Sequence, residues 1–155
     1  MRALRVLGLA AVATFAACGS MPMQLPPDFV ELGEVGNGHR AVTADDARLR
    51  VRNLFDSTKG SVDFWADTLC NDCVLQRGYE LVERGEVNDR DGVSGRWLHF
   101  SANVGGEKVG VLVAAWVRPR LLKKPYLQVA EFVARQDVFA ARLPAVRQAL
   151  TTVWR

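Results

Sequence analysis

The sequence has 155 residues, 49% of them hydrophobic and 24% charged, with a formal net charge of +3. That balance excludes a disordered chain and a polytopic membrane protein, and the length suits one ordinary domain with a substantial core. Without Arg2 and Arg5, which fall in the opening segment, 18 basic residues face 17 acidic ones. A near-neutral domain lacks the basic face that nucleic-acid binding requires, so no nucleic-acid partner is expected.

The chain opens on a short positive stretch, Arg2 and Arg5, followed by the uncharged apolar run Val6–Ala17. Spanning a bilayer takes about 20 apolar residues, so this run is too short for that and fits the apolar region of an export signal. It ends Phe15-Ala16-Ala17-Cys18, which resembles the bacterial lipobox, with Phe15 where that motif prefers leucine. The resemblance implies a signal over residues 1–17 that is cleaved and lipidation of Cys18 (palmitate among the acyl groups). Two or three acyl chains, at about 0.8 kcal/mol per buried methylene, give a stable membrane anchor. The alternative is an ordinary secretory signal cut near Ala17, with Cys18 incidental. The lipid-anchored reading places the protein in the cell envelope. Gly19, in place of an acidic residue, resembles the default sorting to an outer membrane where the source has one, at its periplasmic face or surface. Gly19–Asp28 holds three prolines and no aromatic residue, so residues 18–28 are expected to form an extended tether before a single domain over 29–155.

Phe29–Leu32 and His39–Val42 are short strand candidates around the Gly36-Asn37-Gly38 turn. Ala47–Phe55 alternates, with Leu49, Val51 and Asn53 on one side and Arg48, Arg50 and Arg52 on the other, which predicts one face on a core and one in solvent. A helix follows from Val62 to about Arg77, with Ser61 as N-cap, Asp63 in its first turn and Gly78 at its end. Val62, Trp65, Ala66, Leu69 and Cys73 share its apolar stripe. Strands are predicted over Tyr79–Val87, Gly95–Asn103, Lys108–Arg118 and Tyr126–Arg135, joined by the polar turn Asn88–Gly92, by Gly105-Gly106 and by the basic loop Arg118–Pro125. Val109–Val117 is apolar at nearly every position, as in a central strand covered on both faces. Asp137–Leu143 forms a helical turn, and Pro144 opens a final helix to Trp154. The order β-β-β-α-β-β-β-β-α, with hairpin turns between the later strands, predicts an α+β domain with a mainly antiparallel sheet flanked by helices.

That order, with Phe64-Trp65-Ala66 in the first helix and Arg77-Gly78-Tyr79 after it, resembles the PsbP-like α/β/α sandwich. The family includes the extrinsic PsbP subunit of photosystem II, envelope lipoproteins of the DcrB type and an import factor that binds a small GTPase. The resemblance implies a binding or assembly module. It brings no shared catalytic residues, so none is transferred to this chain.

Few residues offer chemistry of their own. Cys70 and Cys73, in Cys70-Asn71-Asp72-Cys73, are compatible with a structural disulfide in an oxidising compartment, with reduced and partly buried thiols, or with redox or metal chemistry. Their place in the third helical turn denies them the help of the helix N-terminus, which lowers thiol pKa values. The c-type haem signature fails at Val74. Zinc would need two more ligands, from His39, His99 or carboxylates, and no metal or other cofactor is expected. His39 sits by a glycine turn and is expected to be exposed; His99 shares a strand face with Trp97 and Ser101. Ser94 lies in a hairpin turn and lacks the nucleophile-elbow pattern, and Gly105-Gly106 leads to no helix that would hold phosphate. Glu131, among Leu127, Val129 and Val133, is expected to pair with Arg48, Arg50 or Arg52.

The remaining candidate is the loop Arg118, Arg120, Leu121, Leu122, Lys123 and Lys124. It reads as a solvated hairpin loop or as a contact for anionic lipid headgroups or an acidic partner. The leading expectation is a non-catalytic, membrane-anchored module that binds a protein partner at the envelope. The alternatives are thiol–disulfide exchange through Cys70 and Cys73 and carriage of a small apolar ligand between sheet and helix.

Overall fold

A computed structural model describes residues 20–55 and 59–155 of the chain. Seven strands form one antiparallel sheet: β1 (Val30–Val35), β2 (Gly38–Val42), β3 (Arg48–Phe55), β4 (Glu80–Asn88), β5 (Ser94–Val104), β6 (Glu107–Arg118) and β7 (Tyr126–Arg135). Their spatial order is β1-β2-β3-β7-β6-β5-β4, so the last strand inserts between β3 and β6 and joins two hairpin units. Helix α1 (Val62–Asn71) continues into a π-helical turn, Asp72–Gln76, and α2 (Gln136–Leu150) closes the chain. The domain is thus the expected α+β fold, a PsbP-like α/β/α sandwich. Residues 1–17, the expected signal, and Cys18 lie outside the described residues.

Side-chain alternation assigns the two faces. On β6, Leu112, Ala114 and Trp116 point to the α2 side, while Val111, Val113 and Ala115 point to the α1 side; all six are buried. β6 is therefore the doubly covered central strand its composition predicts. Under α2, Phe139 stacks on Phe132 with ring centroids 5.0 Å apart. A Cβ at Gly110 would lie 2.2 Å from the ring of Phe139, so bare backbone is what lets α2 approach the sheet. On the opposite side α1 packs on β5 and β6. Its start is set by Ser61, whose Oγ accepts from the Phe64 N–H at 3.1 Å.

Three expectations change. First, the segment before β1 is no free tether from Met21 onward. Met21 and Met23 are each 2% exposed, packed with Phe29 into the core under α2. The Met21 amide donates to Glu31 at 2.6 Å, the Gln24 amide to Thr152 Oγ1 at 2.9 Å and the Trp154 amide to the Pro22 carbonyl at 3.0 Å. Second, Pro144 lies inside α2 and does not open it. The carbonyl it leaves unbonded is that of Ala140; both residues are exposed, so water can take the free acceptor. Third, α1 ends at Asn71, where the π-helical turn begins.

Candidate functional site

The helix layer on the α1 side does not reach across the sheet. It covers β5 and β6 and leaves β2, β3 and part of β7 without a helix. Register then decides what that open area presents. One row across the four strands reads Arg40, Arg50, Glu131, Val113; the next reads Val42, Arg48, Val133, Val111; a third begins Gly38, Arg52, Val129. A groove of about 560 Å³ runs between these rows and the end of α1. Five arginines (Arg40, Arg48, Arg50, Arg52 and Arg77) and two carboxylates (Asp72 and Glu131) line it, above a floor that includes Val111, Val113 and Val133.

The arginines are unequally satisfied. Arg52 Nη2 donates to Glu131 Oε1 at 3.0 Å, the partnership expected for that acid, with both side chains about a quarter exposed. Arg48 makes a fork to Asp46, 3.0 Å on each arm, and that carboxylate lifts its pKa further. Arg77 donates to Asp72 at 3.0 Å, five residues back, and this bond raises its pKa too. A five-residue spacing would place the two on different sides of an α-helix, where neighbours are three or four apart; the π-helical turn brings them together. Arg50 has only a 3.4 Å bond to Asn37, and its Nε, like that of Arg52, is buried without an acceptor. No carboxylate among the described residues pairs with Arg40 or Arg50.

Cys70 and Cys73 are both unbridged, Cys73 buried and Cys70 half-buried. Burial pushes the Cys73 thiol up from its ordinary value, with Arg77 opposing. That is the reverse of the depression a reactive thiolate needs. Among the described residues no group of three or more His, Cys, Asp or Glu side chains is placed to hold a metal ion.

The basic loop splits. Arg118 is 1% exposed and belongs to the core, which corrects its place in the surface loop. Its guanidinium pairs with the buried carboxylate of Asp89 and donates through Nε and Nη2 to Gln128 Oε1 at 2.8 and 2.6 Å. Gln128 in turn donates to the Trp154 carbonyl at 3.1 Å. The rest of the loop is open: Leu121 is 86% and Leu122 98% exposed, and Leu122 holds a left-handed φ of 58°. Around it Arg120 lies over the Tyr126 ring at 5.7 Å and Lys124 over that of the exposed Phe55, also at 5.7 Å. Lys123 completes the exposed charges of this tip. Phe64 and Leu75 are exposed as well, on α1 and the turn after it. His39 is mostly covered, not exposed, with Nδ1 3.4 Å from Glu31. His99 stacks on Phe139 at 4.9 Å, and burial lowers its pKa.

The arginine groove is the feature that sequence reasoning missed. Three arginines at every second residue of β3 were legible as a face. That they stand beside an uncovered apolar floor depends on where α1 stops.

The comparisons agree on the architecture. No protein family matches the chain, and no curated protein does. Among solved structures it is similar to LpqN of Mycobacterium tuberculosis, a protein involved in cell envelope biogenesis: TM-score 0.63, 14% identity, covering 86% of this chain and 82% of that one. It is similar to the Ran-binding protein Mog1p of Saccharomyces cerevisiae, with TM-score 0.56, 15% identity and coverage of 86% and 93%. A third similar structure is PA94 of Pseudomonas aeruginosa, a protein of unknown function, with TM-score 0.56, 15% identity and coverage of 90% and 87%. At such identities these likenesses show the fold.

Proposed function

We propose that the protein is a cell-envelope lipoprotein, anchored through Cys18, whose domain is a non-catalytic binding or assembly module at the membrane surface. The observation that carries this reading is the tip formed by Leu121 and Leu122 among Arg120, Lys123 and Lys124, with Phe55 and Tyr126 beneath it. Leucine in a left-handed conformation costs about 1–2 kcal/mol, and strain of this kind concentrates at functional positions. Exposed leucines flanked by aromatic rings and cations suit the boundary between headgroups and acyl chains, and each cation near an anionic surface adds about 1 kcal/mol. The lipidated cysteine fits this arrangement. Only Gly19 and Ser20 separate Cys18 from the docked Met21, and three residue steps span at most about 10 Å. This holds the Met21 end of the domain within about one Debye length of the headgroups. The envelope role of LpqN and the Ran binding of Mog1p support a binding module in this location.

The test is made on protein purified from its native membranes. The intact mass should fit an acylated chain that starts at Cys18; a mass without lipid overturns the anchor. A photo-crosslinking residue at Leu122 should label phospholipid in those membranes. Reversing Arg120, Lys123 and Lys124 to glutamate should reduce that labelling severalfold. Unchanged labelling overturns the role given to the tip.

A further inference from the structure

We infer that the arginine groove on the open face of the sheet is a binding site for an anionic single-chain amphiphile, a carboxylate or phosphate head on one acyl chain. This site involves neither Cys18 nor the loop tip and is independent of them.

Arg40 stands directly opposite Arg50 in the β2–β3 register. Like charges in that position are destabilising unless something of opposite sign lies between them. Among the described residues no such group is free to do so. Glu131, next in the row, bonds Arg52, and Asp72 bonds Arg77. Two guanidiniums are left with donors to spare, and Arg50 Nε is already out of water without an acceptor. A buried donor of this kind costs stability until an acceptor arrives, and a guanidinium fork matches a carboxylate or phosphate with two parallel bonds.

The rest of the groove argues for a chain behind the head. Below the arginines the floor is valine: Val111 and Val113 are 6% and 5% exposed, with Val133 beside them. Leu69 and Tyr79 form the wall on the helix side. A free inorganic anion would use the arginines and leave the half-buried Val133, Leu69 and Tyr79 and the exposed Leu32 wet, whereas an acyl chain covers them. The groove's volume of about 560 Å³ falls within the ordinary range of small-molecule sites. The Arg40–Arg50 pair lies at the β2–β3 end of its row and the valines at the β7–β6 end of that row and the next, so head and chain are accommodated side by side on one sheet. Fatty acids and lysophospholipids both present this chemistry.

The experiment uses the full chain in nanodiscs of zwitterionic lipid. It is titrated with dodecanoate and dodecyl phosphate, with inorganic phosphate as the head alone and dodecyl maltoside as the neutral amphiphile. The readout is the Nε–H resonance of Arg50, which partitioning of the amphiphile into lipid does not move. Saturable shifts with one or both anionic amphiphiles, at one per chain, are expected, and the tighter of the two identifies the head. The affinity, followed by the equilibrium uptake of labelled amphiphile above that of empty nanodiscs, should fall about tenfold or more in Arg50→Gln and in Arg40→Gln. Arg40→Gln should leave the melting temperature unchanged or raise it, because it removes a like charge; this separates a lost ligand from a lost fold. Equal affinity for dodecyl maltoside, equal affinity for inorganic phosphate, tighter binding of a hexaglutamate peptide, or no saturable shift would each overturn the proposal.

Discussion

The two faces of the sheet are built from the same strands and end differently. The α2 face is closed: α2 lies across β6 and β7, and the segment from Met21 to Phe29 seals the flank over β3. The α1 face is closed only over β5, β6 and part of β7. The cause lies in β3, which offers Leu49 and Val51 to the first face and Arg48, Arg50 and Arg52 to the second. A helix can cover the first row with apolar side chains. Covering the second would strip water from three guanidiniums, of which Arg50 has no carboxylate partner among the described residues, and desolvating them is costly. Both faces therefore carry a core, but only the α2 face is closed across the whole sheet; the β2–β3 part of the other stays open.

If that division is right, equal substitutions should have unequal effects on the two faces. Arg118→Ala, under the α2 face, removes one half of an enclosed ion pair and leaves Asp89 buried without its partner. It should cost about 3–5 kcal/mol, read as a large fall in the urea midpoint at unchanged slope. Gly110→Ala comes next. The new methyl drives into the Phe139 ring, which α2 holds in place, and should cost about 1–3 kcal/mol. Arg52→Gln breaks an ion pair too, but on the open face, where both partners keep about a quarter of their exposure. Its cost should be no more than about 1 kcal/mol. If Arg52→Gln proved as damaging as Arg118→Ala, the open face would be structural and the comparison would fail.

Much of the closed part was legible in the sequence, because strand boundaries follow local signals. β7 spans Tyr126–Arg135 as expected, and β3 through β6 agree to within a residue at most ends. What escaped depends on contacts remote in the chain. Arg118 looks like a loop residue beside Pro119; it is enclosed because Asp89, 29 residues away, meets it at the sheet's end. Met21 and Met23 alternate with exposed or half-exposed neighbours as strand residues do. The prolines around them nonetheless read as a tether, since nothing local shows that α2 would lie beside them. The π-helical turn had one faint signature, Asp72 and Arg77 five apart. The groove had the arginine alternation, but the empty place beside it is set by the length of α1 and by β7 inserting next to β3. The expectation of a solvent-facing arginine row was therefore close in charge and incomplete in shape.

The smallest expected effect concerns pH and again belongs to the closed face. His99 lies on β5 against Phe139, with Arg147 and Glu83 as its charged neighbours; those two are themselves paired at 2.6 Å. Burial is the main reason its folded pKa lies below the ordinary 6.5, and Arg147 adds to the shift while Glu83 opposes it. As pH falls through about 6.5 the unfolded chain takes up a proton that the folded chain still refuses. Stability should therefore decline below that pH and level off once the folded pKa is passed. The acid loss that comes from Asp45 begins lower, near its ordinary value of 3.8, because its bond to Arg142 depresses the folded pKa. The two windows are separable, so urea midpoints at pH 7.5 and 5.5 isolate the histidine. His99→Gln should flatten the difference between them. A wild-type midpoint that rises toward pH 5.5 would mean His99 is welcomed as a cation, and α2 would then not seal that face.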